Sequence, residues 1–315
     1  MNDFRDLIYN QDSLKNDKFV FCEDVKKIRV DIGLAGDGTH GCEWLLANND
    51  VGVIGIEANP TCREQLVFGG STNSYLNSLY LFRNKICKFV GYISEVYLKR
   101  EILGLDLTKL ENVSAHPPEK FVSNNILYHF SPRMTLDHTG NFRMYPILQE
   151  IKDISEKYIL LAGAVDNIEN EIIYQSFFST PKNLGTSSLR KDILVDFPEK
   201  GDFTEIKVPS YSLDSVLERV DWDKFPFIEC IKIDVEGKEL DVLKSCKKHI
   251  DRVVFFRLEV FEGRPECADD ARSVLNFMKE ADFHLFGREP GDYKFVNRKY
   301  LSLIEQQHHT NPLSW

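Results

Sequence analysis

Apolar residues fall along this chain in two rhythms. Near-continuous runs at residues 28–32, 51–56, 158–164, 171–178, 227–233 and 253–260 predict strands buried on both faces, as in a parallel sheet sandwiched by helices. Helical spacing fills several of the gaps. Trp44, Leu45 and Leu46 follow Asp37 or Thr39 as cap, and Leu213, Val216, Leu217 and Val220 follow Ser212 as cap. Leu240, Val242, Leu243, Cys246 and Ile250 predict one further amphipathic helix after Gly237. Ala271, Val274, Leu275 and Met278 predict another over 269–280. Alternation of this kind predicts a doubly wound α/β fold. The stretch 62–156 breaks the rhythm and reads as an insertion or lid. It includes a loop-like region with His116-Pro117-Pro118, Ser131-Pro132 and His138-Thr139-Gly140. The expected organisation is an N-terminal extension (1–25), a single domain over 26–300 carrying the insert, and a C-terminal tail (301–315).

Composition narrows the class. With 43% hydrophobic residues the chain is not of the disordered kind. Its net charge of −10 opposes nonspecific nucleic-acid binding, which depends on cations neutralising phosphates. The longest apolar run, residues 158–165, is far short of the ~20 needed to span a bilayer. The polar start shows no secretory h-region. Seven cysteines (Cys22, Cys42, Cys62, Cys87, Cys230, Cys246 and Cys267) are odd in number and never spaced C-x-x-C. They read as free thiols in a reducing compartment, so a soluble cytoplasmic protein is expected.

The turn Val30-Asp31-Ile32-Gly33-Leu34-Ala35-Gly36-Asp37-Gly38 has the form strand, glycine-rich turn, helix. Such a turn lets a ligand approach the backbone at the strand's C-terminal end. Its spacing, G-x-x-G-x-G, departs from the dinucleotide fingerprint. Asp31 and Asp37 decide more than the glycines do. A pyrophosphate needs bare N–H groups, and a nearby carboxylate repels it by about 4 kcal/mol at 4 Å. S-adenosylmethionine has no phosphate and carries an ammonium and a sulfonium, which the same carboxylates attract. Glu57, 26 residues after Asp31 and ending the next strand, is placed to accept from ribose hydroxyls.

The most distinctive segment is Lys232-Ile233-Asp234-Val235-Glu236-Gly237-Lys238-Glu239. It matches the K-I-D-V-E-G-x-E hallmark of the FkbM-type S-adenosylmethionine-dependent methyltransferases, which the chain resembles. In the same order, Glu57-Ala58-Asn59-Pro60 resembles that family's E-P-N-P, and Ala164-Val165-Asp166 the stretch where an acid approaches the adenine amino group. Thr186-Ser187-Ser188-Leu189 is similar to its S-S-L loop, and Val208-Pro209 with Ser212-Leu213-Asp214 to its V-P…T-L-D segment. Where the family carries Ala-Asn after the first glycine, this chain has Leu34-Ala35. The resemblance implies a Rossmann-like seven-stranded methyltransferase sheet with helices on both faces and one antiparallel strand. Residues 284–287 and 293–297 would supply the last two strands. It also implies O-methylation of a sugar, glycan or secondary metabolite.

On that reading the cofactor residues are Asp31, Gly33, Gly36, Asp37, Glu57, Ala58, Asp166 and Asp234. Asp234 or Glu236 is the expected base or hydroxyl orienter. Glu239, in a first helical turn, reads as a negative charge facing a helix N-terminus, and Lys232 as a satisfied charge at a sheet edge. Glu259 aligns with an acid that faces the same cleft. Asp234, Glu236 and Glu259 could offer oxygens to a divalent metal, but no spacing demands one and none is expected. His116, His129 and His138 of the insert are alternative bases, each equally explained as a surface side chain. Two other readings remain at this point, an NAD(P)-dependent oxidoreductase and a non-catalytic binding module that retains the fold. The first is weakened by the acidic turn and by the lack of a suitably placed Tyr-x-x-x-Lys pair.

Overall fold

The computed structural model describes residues 3–35, 39–63, 120–123, 126–136, 142–152, 154–169, 171–180, 187–192, 203–260, 265–289 and 291–301. In chain order the strands are β1 (Leu14–Lys15), β2 (Lys18–Phe19), β3 (Lys27–Ile32), β4 (Val51–Glu57), β5 (Lys120–Ser123), β6 (Ile126–Leu136), β7 (Phe142–Lys152) and β8 (Tyr158–Ala162). Then come β9 (Ala164–Val165), β10 (Ile173–Ser179), β11 (Thr204–Tyr211), β12 (Ile228–Ile233), β13 (Val253–Glu259), β14 (Phe283–Glu289) and β15 (Asp292–Asn297). The α-helices are α1 (Thr39–Ala47), α2 (Ile154–Lys157), α3 (Leu213–Leu217), α4 (Glu239–Lys244) and α5 (Pro265–Glu280). Among the described residues no helix is long and apolar enough to cross a membrane.

Seven strands form the main sheet, in the order β14-β15-β13-β12-β3-β4-β8. Parallel pairing joins β13, β12, β3, β4 and β8, while β15 runs antiparallel to both β13 and β14. This is the expected Rossmann-like sheet with one antiparallel strand. The continuous apolar runs explain it: every residue of β4 and β12 is buried. Such strands need cover on both faces.

Contacts divide the chain into two compact units, one of Met1–Leu34, His40–Asn59 and Glu156–Trp315, the other of Ala35–Thr39 and Pro60–Ser155. The first holds the main sheet. The second contains the antiparallel sheet β5-β6-β7. Ser131 and Pro132, expected in a loop, lie inside β6, where Pro132 faces Pro146 of β7. Two facing prolines are tolerated where neither residue has to donate to the ladder.

Three other expectations need correcting. Residues 171–178 do not join the main sheet. Their strand, β10, is the edge of a small sheet β10-β11-β9 and pairs antiparallel with β11, a strand the apolar pattern did not announce. Ile173 and Tyr174 are exposed there, so apolar content at this position does not signal burial on two faces. The run 158–164 is split at Gly163 (φ 132°) into β8 and β9. The helix after Gly237 ends at Lys244 rather than continuing to Ile250. Asp214 accepts from the backbone N–H groups of Lys247 (2.8 Å) and Lys248 (2.9 Å), which fixes the chain beyond the helix in a turn.

The N-terminal segment is built into the core of the first unit. Phe4, Leu7, Ile8, Phe19, Phe21 and Val25 are buried in its main apolar cluster. Tyr9 N donates to Leu160 O (2.9 Å), and the Phe4 ring lies 5.5 Å from that of Tyr211. The Arg219 guanidinium stacks over Phe4 at 3.7 Å. Truncating a buried phenylalanine leaves a cavity that the surroundings only partly fill. Phe4→Ala is therefore expected to cost about 3–5 kcal/mol in urea unfolding. A loss below about 1 kcal/mol would show that the segment merely rests on the surface.

Candidate functional site

The site starts from one turn. Gly33 follows β3 with φ 80°, and a Cβ there would stand 1.7 Å from the carbonyl oxygen of Asp234. Only glycine allows so close an approach. Gly33 N donates to Ile56 O and Asp234 N to Ile32 O, each at 3.0 Å, so the turn is sewn between the ends of β4 and β12.

Beneath it lies Lys232, on the central strand β12 rather than at a sheet edge. Its ammonium donates to Gly33 O (2.6 Å) and pairs with Asp31 (3.5 Å) and Asp234 (3.1 Å). Burial opposes its charge, but the two carboxylates outweigh burial and hold its pKa above the ordinary lysine value. Asp31 also accepts, through Oδ2, from Gly41 N in the first turn of α1 (2.9 Å). Its other oxygen, Oδ1, is buried and faces the Lys232 ammonium at 3.5 Å.

A second set of contacts runs along the other strand ends. Glu57 Oε2 accepts from Leu34 N (2.9 Å) and Oε1 from Asn59 N (2.6 Å), so this carboxylate braces the turn after Gly33. Asn59 donates to Ser179 Oγ (3.0 Å) and Ser187 Oγ (3.2 Å). Ser188 Oγ donates to Glu236 O (2.8 Å), and Arg190 to Gly237 O (3.2 Å). Ala58 packs on the small cluster of Ala164, Phe177 and Val208. Asp166, just beyond β9, accepts from Asn167 N (2.8 Å) and Gln175 Nε2 (2.9 Å) and pairs with Lys238 (3.3 Å).

Within the turn after β12, Glu236 (φ 54°) and Gly237 (φ 92°) are both left-handed. Glu239 reaches back to this turn, where Oε1 accepts from Val235 N (3.2 Å) and Gly237 N (3.0 Å). Burial pushes its pKa up to about 7 against the pull of those N–H groups. Glu239 is thus a brace for the turn, in agreement with its position facing a helix N-terminus.

Asp31, Gly33 and Asp234 therefore meet around Lys232, while Glu57 and Asp166 attach to the same loops at the C-terminal ends of the parallel strands, where ligands bind in open α/β sheets. Gly36 and Asp37 lie outside the described residues, as do His116 and His138. His129 falls within β6. Glu259 ends β13. Burial and the neighbouring carboxylates of Asp234 and Glu236 push its pKa up to about 8, with Lys232 pulling the other way. Among the described residues no group of three or more His, Cys, Asp or Glu side chains is arranged to hold a metal ion.

The sequence did not single out Arg257, Asp292 and His40. Arg257 binds Asp292 with two hydrogen bonds (3.2 and 2.5 Å) and donates to His40 Nδ1 (3.3 Å). A guanidinium cannot accept, so the proton of a neutral His40 sits on Nε2. The available signal was alternation: Arg257 and Glu259 alternate with Phe256, Leu258 and Val260, and hence share one face of the strand.

The sequence profile of the methyltransferase FkbM domain matches residues 48–285. No curated protein and no solved structure matches the chain. The match contains the segments at 57–60, 186–189, 208–214 and 232–239, and begins after the first glycine turn.

Glu239 generates a pH prediction. Its folded-state pKa of about 7 lies above the ordinary 4.5. The folded state therefore binds its proton more tightly than the unfolded chain does. The resulting stability is complete below pH 4.5 and is lost as pH rises through 7. Glu239→Gln keeps an oxygen for the two N–H groups but cannot ionise. The fall in urea midpoint between pH 5 and 7.5 is expected to be shallower in this variant than in the parent. Equal slopes would show that Glu239 does not titrate in this window.

Proposed function

The chain belongs to the FkbM methyltransferase family, and on that premise we propose that it methylates a hydroxyl of a sugar, glycan or secondary metabolite, with S-adenosylmethionine as methyl donor. That cofactor supplies, when bound, a methyl group activated by a sulfonium.

The residues present fit such a group. Gly33 leaves a turn free of side chain, and Asp31 and Asp234 offer carboxylates beside it, which suits a cation and repels a phosphate. The observation that carries this reading is the Asp31–Lys232–Asp234 cluster, in which one buried ammonium faces a buried and a partly exposed carboxylate and Glu236 stands in the adjoining turn. In this proposal Asp31, Gly33 and Asp234, together with Gly36 and Asp37, hold the cationic part of the cofactor. Glu57 takes the ribose hydroxyls, its carboxylate being held at the C-terminal end of β4 by Leu34 N and Asn59 N. Ala58 lines the same place and Asp166 takes the adenine amino group.

Asp234 or Glu236 then orients the acceptor hydroxyl and takes its proton. The Asp234 side chain is 29% exposed, which leaves it reachable. Alignment of the reacting atoms lowers the barrier by several kcal/mol, and a general base contributes about 10²–10⁴-fold. Among the described residues Cys22, Cys62, Cys230 and Cys246 form no disulfide, which fits the reducing, cytoplasmic setting of this reading.

Thermal unfolding with S-adenosylhomocysteine, NAD or NADP added tests the cofactor. Only the first is expected to raise Tm, by the amount that mass action sets. No shift at millimolar concentration would overturn the reading. Transfer of labelled methyl to a panel of hydroxylated acceptors tests the chemistry. Asp234→Asn or Glu236→Gln is expected to lower kcat by about 10²–10⁴-fold, with homocysteine-compound binding weakened in the first and kept in the second. Full activity in both variants would remove them from the mechanism.

A further inference from the structure

Glu236 has φ 54°, a conformation that glycine takes freely and a glutamate seldom does. Such backbone persists only where its surroundings over-determine it, and here the hydrogen bonds show how. The peptide between Glu236 and Gly237 is gripped at both ends. Its carbonyl accepts from Ser188 Oγ (2.8 Å), and its N–H donates to Glu239 Oε1 (3.0 Å). Val235 N donates to the same carboxylate oxygen (3.2 Å), and Gly237 O accepts from Arg190 Nη1 (3.2 Å). Peptide groups on both sides of Glu236 are thereby held. We propose that Ser188, seconded by Arg190, is a positioning residue: it clamps the turn after β12 and so fixes the direction from which Glu236 meets the acceptor hydroxyl.

Ser188 is itself immobile. It is 1% exposed, and its backbone N–H and carbonyl pair with the carbonyl and N–H of Phe178 in β10 (3.1 and 2.8 Å). Arg190 N donates to Ser188 Oγ (2.9 Å). A hydroxyl has one hydrogen, and a carbonyl can only accept, so that hydrogen points to Glu236 O. The neighbouring Ser187 Oγ accepts from Asn59 Nδ2 (3.2 Å), whose backbone N–H is held by Glu57. One short loop therefore joins the acid assigned to the ribose with the turn that carries Glu236.

This inference rests on the proposed methyl transfer and deepens it. Asp234 faces the Lys232 ammonium at 3.1 Å, so its carboxylate is oriented by an ion pair. The backbone that carries Glu236 is oriented by the clamp instead. A glycine would form the turn with less strain, so a glutamate held there marks a position where the carboxylate matters more than the ease of the turn.

Two measurements test the clamp and its purpose separately. The first needs no substrate. In urea unfolding Glu236→Gly is expected to have a higher midpoint than Glu236→Ala, because glycine alone sheds the left-handed strain. In a Ser188→Ala background the turn can relax, and that difference should shrink by about half or more. Equal midpoints for glycine and alanine, or a difference that Ser188→Ala leaves untouched, would overturn the clamp. The second is transfer of labelled methyl from S-adenosylmethionine to the panel of hydroxylated acceptors. Ser188→Ala is expected to lower kcat by about 10–10²-fold, as a misplacement of about 1 Å does, with the S-adenosylhomocysteine dissociation constant kept within about twofold. Added to Glu236→Gln it should cost little more than that variant alone, since both act through one carboxylate. Losses that multiply, or full activity in Ser188→Ala, would overturn the positioning role and leave methyl transfer standing. A parent that neither transfers methyl nor binds S-adenosylhomocysteine would overturn the methyl-transfer reading and the role of Glu236 with it, the urea comparison still deciding the clamp.

Discussion

A buried ammonium in the middle of the main sheet organises this protein. Removing such a charge from water costs several kcal/mol unless partners surround it, and Lys232 finds three: Gly33 O, Asp31 and Asp234. Each partner belongs to a different part of the site. Gly33 is the turn, Asp31 holds the first turn of α1 through Gly41, and Asp234 opens the turn after β12. The desolvation cost of one lysine thus makes the geometry of all three interdependent, since displacing any of them leaves a buried charge short of a partner.

The sequence motifs are held together by the same logic of satisfied polar groups. Glu57, Asn59, Ser187, Ser188 and Arg190 lead by consecutive hydrogen bonds from the turn after β3 to the carbonyls of Glu236 and Gly237. Two acids of the motifs act as braces. Glu239 ties the turn after β12, and Asp214 ties the chain beyond α4 through Lys247, Lys248 and His249. Asp234 differs from them: its carboxylate meets the Lys232 ammonium at 3.1 Å. What separates a brace from an ion-pair partner is therefore which donors an acid meets, not its residue type.

Much of this was legible because burial on two faces leaves a local mark. The apolar runs located β3, β4, β12 and β13, and Ser212 was readable as a cap because its partner, Ser215 N, is three residues away. Lys232 was misjudged for the opposite reason: Gly33 is 199 residues distant, and neither that carbonyl nor Asp31 can be read from the neighbours of Lys232 along the chain. The same holds for Arg257 and Asp292, and for Asp214, whose carboxylate meets donors more than thirty residues on. Apolar content in β10 misled because it reports what a strand can bury, not which sheet it joins. The shape of the turn at Glu236 and Gly237 was hidden as well, since a glutamate gives no hint of a positive φ.

Surplus charge and backbone strain coincide in that last turn. Glu236 adopts a left-handed conformation that a glutamate rarely takes, beside Gly237 in the same region. Ser188 and Arg190 hold their carbonyls, and Glu239 holds the flanking N–H groups. A fold optimised for stability alone would relax this backbone and neutralise the acids around it. Here Asp31 and Asp234 share Lys232, and burial and the acids around it push the Glu259 pKa up. Strain and unbalanced charge persist where surrounding structure over-determines them, which is characteristic of sites built to receive something. Two carboxylates set against one ammonium favour a further positive charge beside them, by the same Coulombic attraction that holds Lys232 between Asp31 and Asp234.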